Sequence, residues 1–145
     1  MEALKEHNLE RFISAQQSAY QTALRELKDG KKQSHWMWYI FPQIQGLGFT
    51  EMSKKYSLKD LNEATEYLQH RTLGPRLILI STALLGMETN DAHQVFGSPD
   101  DLKLKSSMTL FSQVPGASPV FEQVLQKFYN GLKDHITLRI LNMHR

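Results

Sequence analysis

Apolar side chains along this chain recur at intervals of three and four residues, the spacing that places them on one face of an α-helix. The segment from Asn8 to Lys28 shows this spacing, and the segment from Leu77 to Leu85 is apolar almost all round. No segment sustains the period-two alternation of a half-buried strand. We therefore predict an all-α fold, with the second of these segments near its centre.

Glycine, proline and helix-capping residues divide the helical pattern into eight segments. Ser34, Ser57, Ser98 and Asp134 are predicted to cap helix N-termini, because a side-chain oxygen there can accept a backbone N–H of the first turn. Pro75 is predicted to open the helix that runs from Arg76 to about Leu85. The predicted helices span 8–28, 35–41, 57–69, 76–85, 91–96, 100–113, 119–131 and 134–141.

The chain length supports one domain over residues 1–145, a compact orthogonal arrangement of six to eight helices. A chain of 145 residues that is 41% hydrophobic can bury a core of its own. It contains no cysteine, which excludes thiol nucleophiles and redox disulfides. Its six histidines lack metal-ligand spacing, so we predict no metal site and no cofactor.

The charge and hydropathy of the chain indicate which partners and which cellular location to expect. The formal net charge is only +2, which disfavours nucleic acid as a partner. The first residues carry charges where a secretory signal has its apolar core. The longest apolar stretch, Leu77 to Met87, falls short of the roughly 20 residues that span a membrane. We predict a cytoplasmic protein without membrane contact.

The first segment that could form a functional site is the aromatic run between Ser34 and Gly48, which contains both tryptophans. Trp36, Trp38 and Tyr39 cannot all point toward one core, because successive helical residues are about 100° apart. One interpretation is a buried aromatic cluster that fixes helix packing. The other is a ligand pocket in which the rings contact a planar group while His35 and Gln43 supply polar contacts.

The second segment is the helix start that follows Ser98. On a helix, Asp100, Lys103 and Ser107 share one stripe, and Asp101 and Lys105 share the neighbouring stripe. These groups could bind a phosphate or a sugar. The alternative is that the acids stabilise the helix N-terminus and pair with lysines at the surface.

Several long motifs resemble one family of proteins. They run from His35 to Gln43, from Leu73 to Leu77 and from Asp100 to Phe111, and shorter matches extend the similarity over nearly the whole chain. The chain is identified as a member of the bacterial family known as domain of unknown function 1810, often automatically labelled calpastatin. The resemblance implies a compact helical domain and no established activity. Arg71 departs from the family, which commonly has proline after the preceding histidine.

Our leading functional hypothesis is a polar-aromatic cleft that binds a nucleotide-like or phosphate-bearing small molecule, with hydrolysis of that molecule as an optional further activity. His35 is the candidate general acid or base and Asp101 the group that orients a water or hydroxyl. The candidate ligand-binding residues are Trp36, Trp38, Tyr39, Gln43, Arg76, Asp100, Lys103, Lys105 and Ser107. The alternative is a non-catalytic module whose tryptophans form a protein-binding patch or a homodimer interface.

Overall fold

The computed structural model describes residues 8–144, which form nine α-helices and no β-strand. This confirms the all-α prediction, with one helix more than the six to eight expected. Residues 1–7 and 145, which the predicted domain includes, lie outside the described residues. The helices are α1 Glu10–Lys28, α2 Met37–Ile40, α3 Glu51–Lys55, α4 Leu61–Gln69, α5 Leu73–Leu85, α6 Ala92–Phe96, α7 Asp100–Ser112, α8 Val120–Tyr129 and α9 His135–Met143.

Helix α5 lies near the centre of the fold, as its apolar composition predicts. It packs against α1, α4 and α8, and α8 in turn packs against α7. The inward side chains of α5 are buried, from Leu73 through Ile80 to Leu84. Among the helices of residues 8–144, none is long and apolar enough to cross a membrane.

Much of the core is aromatic. The ring of Trp36 meets that of Phe96 edge to face with centroids 6.4 Å apart, and Phe41 meets Phe96 in the same way at 6.0 Å. Tyr67 and Phe111 form a second contact at 5.5 Å. Such pairs contribute roughly 0.5–1.5 kcal/mol each beyond the area they bury. The packing interpretation of the aromatic run therefore holds for part of it.

Several helix starts differ from the predictions. Asp60, and not Ser57, caps α4 by accepting the N–H of Glu63 at 2.9 Å. Helix α5 begins two residues before Pro75. Proline is tolerated there because the first N–H groups of a helix have no intrahelical partner. The N-cap of α7 is Pro99, without a side-chain hydrogen bond, so Ser98 is not its cap.

Helix α3 was not predicted, because its five residues are mostly polar and give no apolar stripe; Thr50 caps it by accepting the N–H of Ser53. Ser34 does not cap α2, which begins at Met37. The predicted cap at Asp134 is confirmed, since its carboxylate accepts the N–H of Thr137 at 2.9 Å.

Candidate functional site

A cleft of about 590 Å³ opens between the loop that follows α2 and the N-terminal ends of α7 and α9. Its walls combine aromatic rings, hydroxyls, amides and two lysines. The lining residues are Trp38, Gln43, Ile44, Gln45, Gly46, Leu47, Gly48, Phe49, Ser53, Lys54, Tyr56, Ser57, Pro99, Leu102, Lys103, Ser106, Asp134 and Ile136. A volume of this size suits a small-molecule ligand.

The loop wall of the cleft is held by backbone hydrogen bonds to the segment before α4. The N–H of Leu58 donates to the carbonyl of Gln43, and the N–H of Gln45 donates to the carbonyl of Leu58, both at 2.8 Å. Between these bonds, Ile44 is buried. Gly46 has φ of +109°, a left-handed conformation that favours glycine. The loop is thus fixed beside the cleft.

The opposite wall carries the pairing of Trp38 and Lys103. The Lys103 ammonium lies over the Trp38 ring, 4.3 Å from its centroid, and 3.4 Å from a carboxylate oxygen of Asp100. The other carboxylate oxygen of Asp100 lies 2.9 Å from Nζ of Lys32, whose side chain is only 8% exposed. These contacts restrict the Lys103 ammonium to a position at the cleft wall.

Behind this wall, Glu26 organises the backbone that leads into α2. Its carboxylate accepts hydrogen bonds from the Trp36 indole at 2.9 Å, from the N–H groups of Gln33 and Ser34, and from the Ser34 hydroxyl. Burial by itself raises the pKa of the Glu26 carboxyl, but these donors together lower it to about 2. Glu26 therefore stays ionised and holds Trp36 in place.

Three of the predicted ligand-binding residues, Trp38, Gln43 and Lys103, line this cleft. The two predicted catalytic residues do not. His35 is exposed outside it, and its carbonyl accepts the Tyr39 hydroxyl at 3.1 Å. Asp101 borders a second cleft, where its carboxylate lies 3.5 Å from Nδ1 of His93.

The remaining predicted ligand-binding residues do not line this cleft. Trp36 is 1% exposed and belongs to the core. Ser107 is fully buried, and its hydroxyl has no hydrogen-bond partner among the described residues.

Arg76 lies beside Gln16 at 3.4 Å, with its guanidinium 5.4 Å from the Tyr20 ring centroid. The ring of Tyr39 packs against that of Tyr56 with centroids 5.1 Å apart. Lys105 Nζ lies 5.9 Å from the centroid of the Tyr129 ring. Asp100 does not line the cleft, but its carboxylate pairs with the Lys103 ammonium that does. Arg76 and Lys105 do not line the cleft.

Sequence reasoning missed three residues that shape the cleft. Phe49 is 86% exposed at its edge, Lys54 supplies a second ammonium, and the capping residue Asp134 forms part of a wall. Two weak signals existed, namely the glycine pair at 46 and 48 and the basic pair at 54 and 55. Within residues 8–144, no three His, Asp or Glu side chains are grouped to hold a metal ion.

Over residues 8–144, the structure defines a small all-α fold with a cleft between the loop after α2 and the N-terminal ends of α7 and α9. The chain belongs to the family described as protein of unknown function, DUF1810, whose model matches residues 6–141. This confirms the family indicated by the sequence motifs.

One solved structure is similar to this chain over most of its length. It is the crystal structure, at 1.38 Å, of the conserved hypothetical protein Rv1873 from Mycobacterium tuberculosis. The two sequences are 42% identical, the TM-score is 0.90, and the match covers 92% of this chain and 96% of that chain. No curated protein matches this chain.

Proposed function

We propose that this protein binds, in the cleft beside Trp38, a small molecule that carries a planar group and an anionic group. A nucleotide-like or other phosphate-bearing compound has this chemistry. The observation that carries the proposal is the placement of Lys103 over the Trp38 ring at the cleft wall.

The lysines support recognition of an anion. Lys54 and Lys103 supply two ammonium groups, while the Asp134 carboxylate is engaged by the N–H and hydroxyl of Thr137. Lys103 is restrained by Asp100 and Trp38, so little rotamer freedom is left for a ligand to remove. An ammonium has three N–H donors, and one contact with Asp100 leaves others for an anion.

The aromatic side chains support recognition of a planar group. Phe49 offers an exposed ring at the edge of the cleft, and Trp38 and Tyr56 lie on its walls. Gln43 and Ser106 lie on the same walls and can supply hydrogen bonds that orient the ligand. The combination resembles ordinary ligand sites, in which a mostly apolar surface carries a few polar groups.

Binding, without hydrolysis, is the activity that this geometry favours. A general acid or base must lie within hydrogen-bond reach of the proton it transfers, and neither His35 nor Asp101 lines the cleft. The catalytic roles of these two residues stay a prediction. Comparing the rate of ligand hydrolysis by the wild-type protein with that of a His35→Ala variant tests it.

A thermal-shift screen against nucleotides, ADP-ribose, sugar phosphates and pyrophosphate tests the proposed function. A ligand at about one hundred times its Kd stabilises a protein by roughly 2.7 kcal/mol, which raises Tm by several degrees. Titration calorimetry with the best compound then gives Kd. We expect Lys103→Ala to raise that Kd about tenfold or more, because a hydrogen bond to a charged group is lost.

Lys105→Ala is the matched control. Lys105 lies on the same helix and near an aromatic ring, but outside the cleft, so its removal should leave the Kd unchanged. Equal effects of the two substitutions, or a screen in which no compound raises Tm, would contradict binding at this site.

A further inference from the structure

Leu102, in the first turn of α7, lies on the border between two clefts. One is the cleft beside Trp38, and the other is a cleft of about 590 Å³ formed by residues 89–93 with parts of α7 and α8. Leu102 lines both, and it is 60% exposed. A large apolar side chain therefore projects from the middle of a surface with a concavity on either side.

The two clefts carry opposite charges. Two lysines, 54 and 103, and one carboxylate, Asp134, line the first. Two carboxylates, Asp91 and Asp101, line the second, where His93 is the remaining titratable group apart from Tyr129. With His93 neutral, the formal charges are 2 − 1 = +1 in the first cleft and −2 in the second.

We infer that this surface binds a second copy of the same chain in a symmetric dimer centred on Leu102. A two-fold axis through Leu102 exchanges the two clefts, so the positive cleft of each copy faces the negative cleft of its partner. In such an interface the same surface occurs on both sides and must complement itself. The opposite charges of the clefts meet the electrostatic part of that requirement, and the two Leu102 side chains shield each other from water.

A second copy covers Leu102 together with both clefts, whereas a ligand in either cleft alone leaves Leu102 exposed. Complementary charge also directs the encounter of the two surfaces and disfavours other arrangements. The inference rests on Leu102 and the charges of the two clefts. It does not depend on which small molecule the first cleft binds.

Crosslinking through Leu102→Cys tests the dimer directly. The natural chain has no cysteine, so the introduced thiol can form a disulfide only with the same residue of another copy. Two residues beside a two-fold axis can approach to the Cα separation of about 4.4–6.8 Å that a disulfide needs. We expect a covalent dimer to form under mild oxidation about ten times faster than in the control Leu79→Cys.

Leu79 is a suitable control because it is 53% exposed on α5 and lines neither cleft. Sedimentation of the wild-type protein should show a mass that rises toward the dimer with concentration. Equal crosslinking rates for the two variants, or a wild-type protein that stays monomeric to several hundred micromolar, would overturn the inference. Both measurements are made without ligand, so failure of the proposed small-molecule binding leaves them unaffected.

Charge exchange gives a second test, with variants at exposed positions. Lys54→Glu makes the first cleft more acidic, and Asn90→Lys makes the second more basic. Lys54→Glu changes the first cleft from +1 to −1 and should raise the dimer Kd about tenfold, whereas Asn90→Lys changes the second cleft from −2 to −1 and should raise the Kd less. Because the second substitution weakens the repulsion that the first creates, the double variant should bind more tightly than Lys54→Glu alone, a partial recovery. Recovery requires that the two clefts face each other, and additive losses in the double variant would overturn the proposed arrangement.

Discussion

Glu26 shows at the scale of one residue how a buried carboxylate can stabilise the fold. An ionised group away from water is costly unless hydrogen bonds replace its hydration. Four donors surround Glu26, three of them from Gln33 and Ser34 and one from the Trp36 indole. The charge is therefore favourable in the folded state, where these hydrogen bonds lower the pKa of the Glu26 carboxyl from its ordinary value of 4.5 to about 2.

We expect Glu26→Gln to lower the free energy of unfolding by roughly 3 kcal/mol at neutral pH. A lowered carboxyl pKa stabilises the protein above pH 4.5, and this contribution is lost as the pH falls from 4.5 to about 2. Glutamine keeps a similar shape without the charge. The stability difference between the two proteins, measured by urea unfolding from pH 7 to pH 2, should therefore shrink steadily below pH 4.5.

Glu122→Gln is the control for this prediction. Glu122 is an exposed acid that pairs with Lys133 at 3.1 Å, and such surface pairs contribute about 0–1 kcal/mol. A difference between wild type and Glu26→Gln that is small at pH 7, or that does not change with pH, would show that the four hydrogen bonds do not favour the ionised carboxylate.

At the scale of elements, α4 and α5 approach each other at Gly74. A Cβ at this position would lie 2.0 Å from the carbonyl oxygen of Leu68 and 2.9 Å from its carbonyl carbon. These are backbone atoms and cannot rotate away as a side chain can. The glycine in the motif from Leu73 to Leu77 therefore permits the tight connection between the two helices.

We expect Gly74→Ala to destabilise the protein by about 2 kcal/mol or more, because the helices must move apart. Gly86→Ala serves for comparison, since a Cβ there has nothing closer than the Ala83 carbonyl oxygen at 3.6 Å. That substitution should be neutral or stabilise by up to about 1 kcal/mol. Thermal unfolding of both variants measures the difference, and equal Tm values would contradict the steric argument.

The helices that the sequence predicts well have a long apolar stripe or a capping residue within the pattern, as α1 and α9 do. The errors occur where local signals compete. Ser57 and Asp60 both precede α4, and either could cap it. Asp60 is the cap, because the Ser57 hydroxyl donates instead to the Lys54 carbonyl at the end of α3. A helix of five polar residues such as α3 gives no periodic signal of its own.

At the scale of the whole molecule, four of the five tyrosines have raised pKa values, mainly because they are buried. Burial raises the pKa of Tyr20 to about 12, although the Arg76 guanidinium acts in the opposite direction. Burial likewise raises the pKa of Tyr39, Tyr67 and Tyr129. The folded protein thus retains protons that the unfolded chain releases near pH 10.

We expect stability to fall as the pH rises above 10, by up to about 1.4 kcal/mol per pH unit for each tyrosine involved. The absorbance of tyrosinate and the helical circular dichroism, recorded together during an alkaline titration, measure this effect. Most of the tyrosinate should form only as helix is lost. Ionisation of all five tyrosines near pH 10 with the helices intact would contradict the burial argument.

The helical class and the family can be predicted from the sequence, because helical periodicity and long motifs are local properties of the chain. Which of the predicted residues share a cleft depends on the tertiary structure. Trp36 and Trp38 lie two positions apart, and the first is buried against Glu26 while the second lies under Lys103. Trp36 immediately precedes α2 and Trp38 is the second residue of that helix, and which of the two side chains faces the core depends on the packing of distant segments.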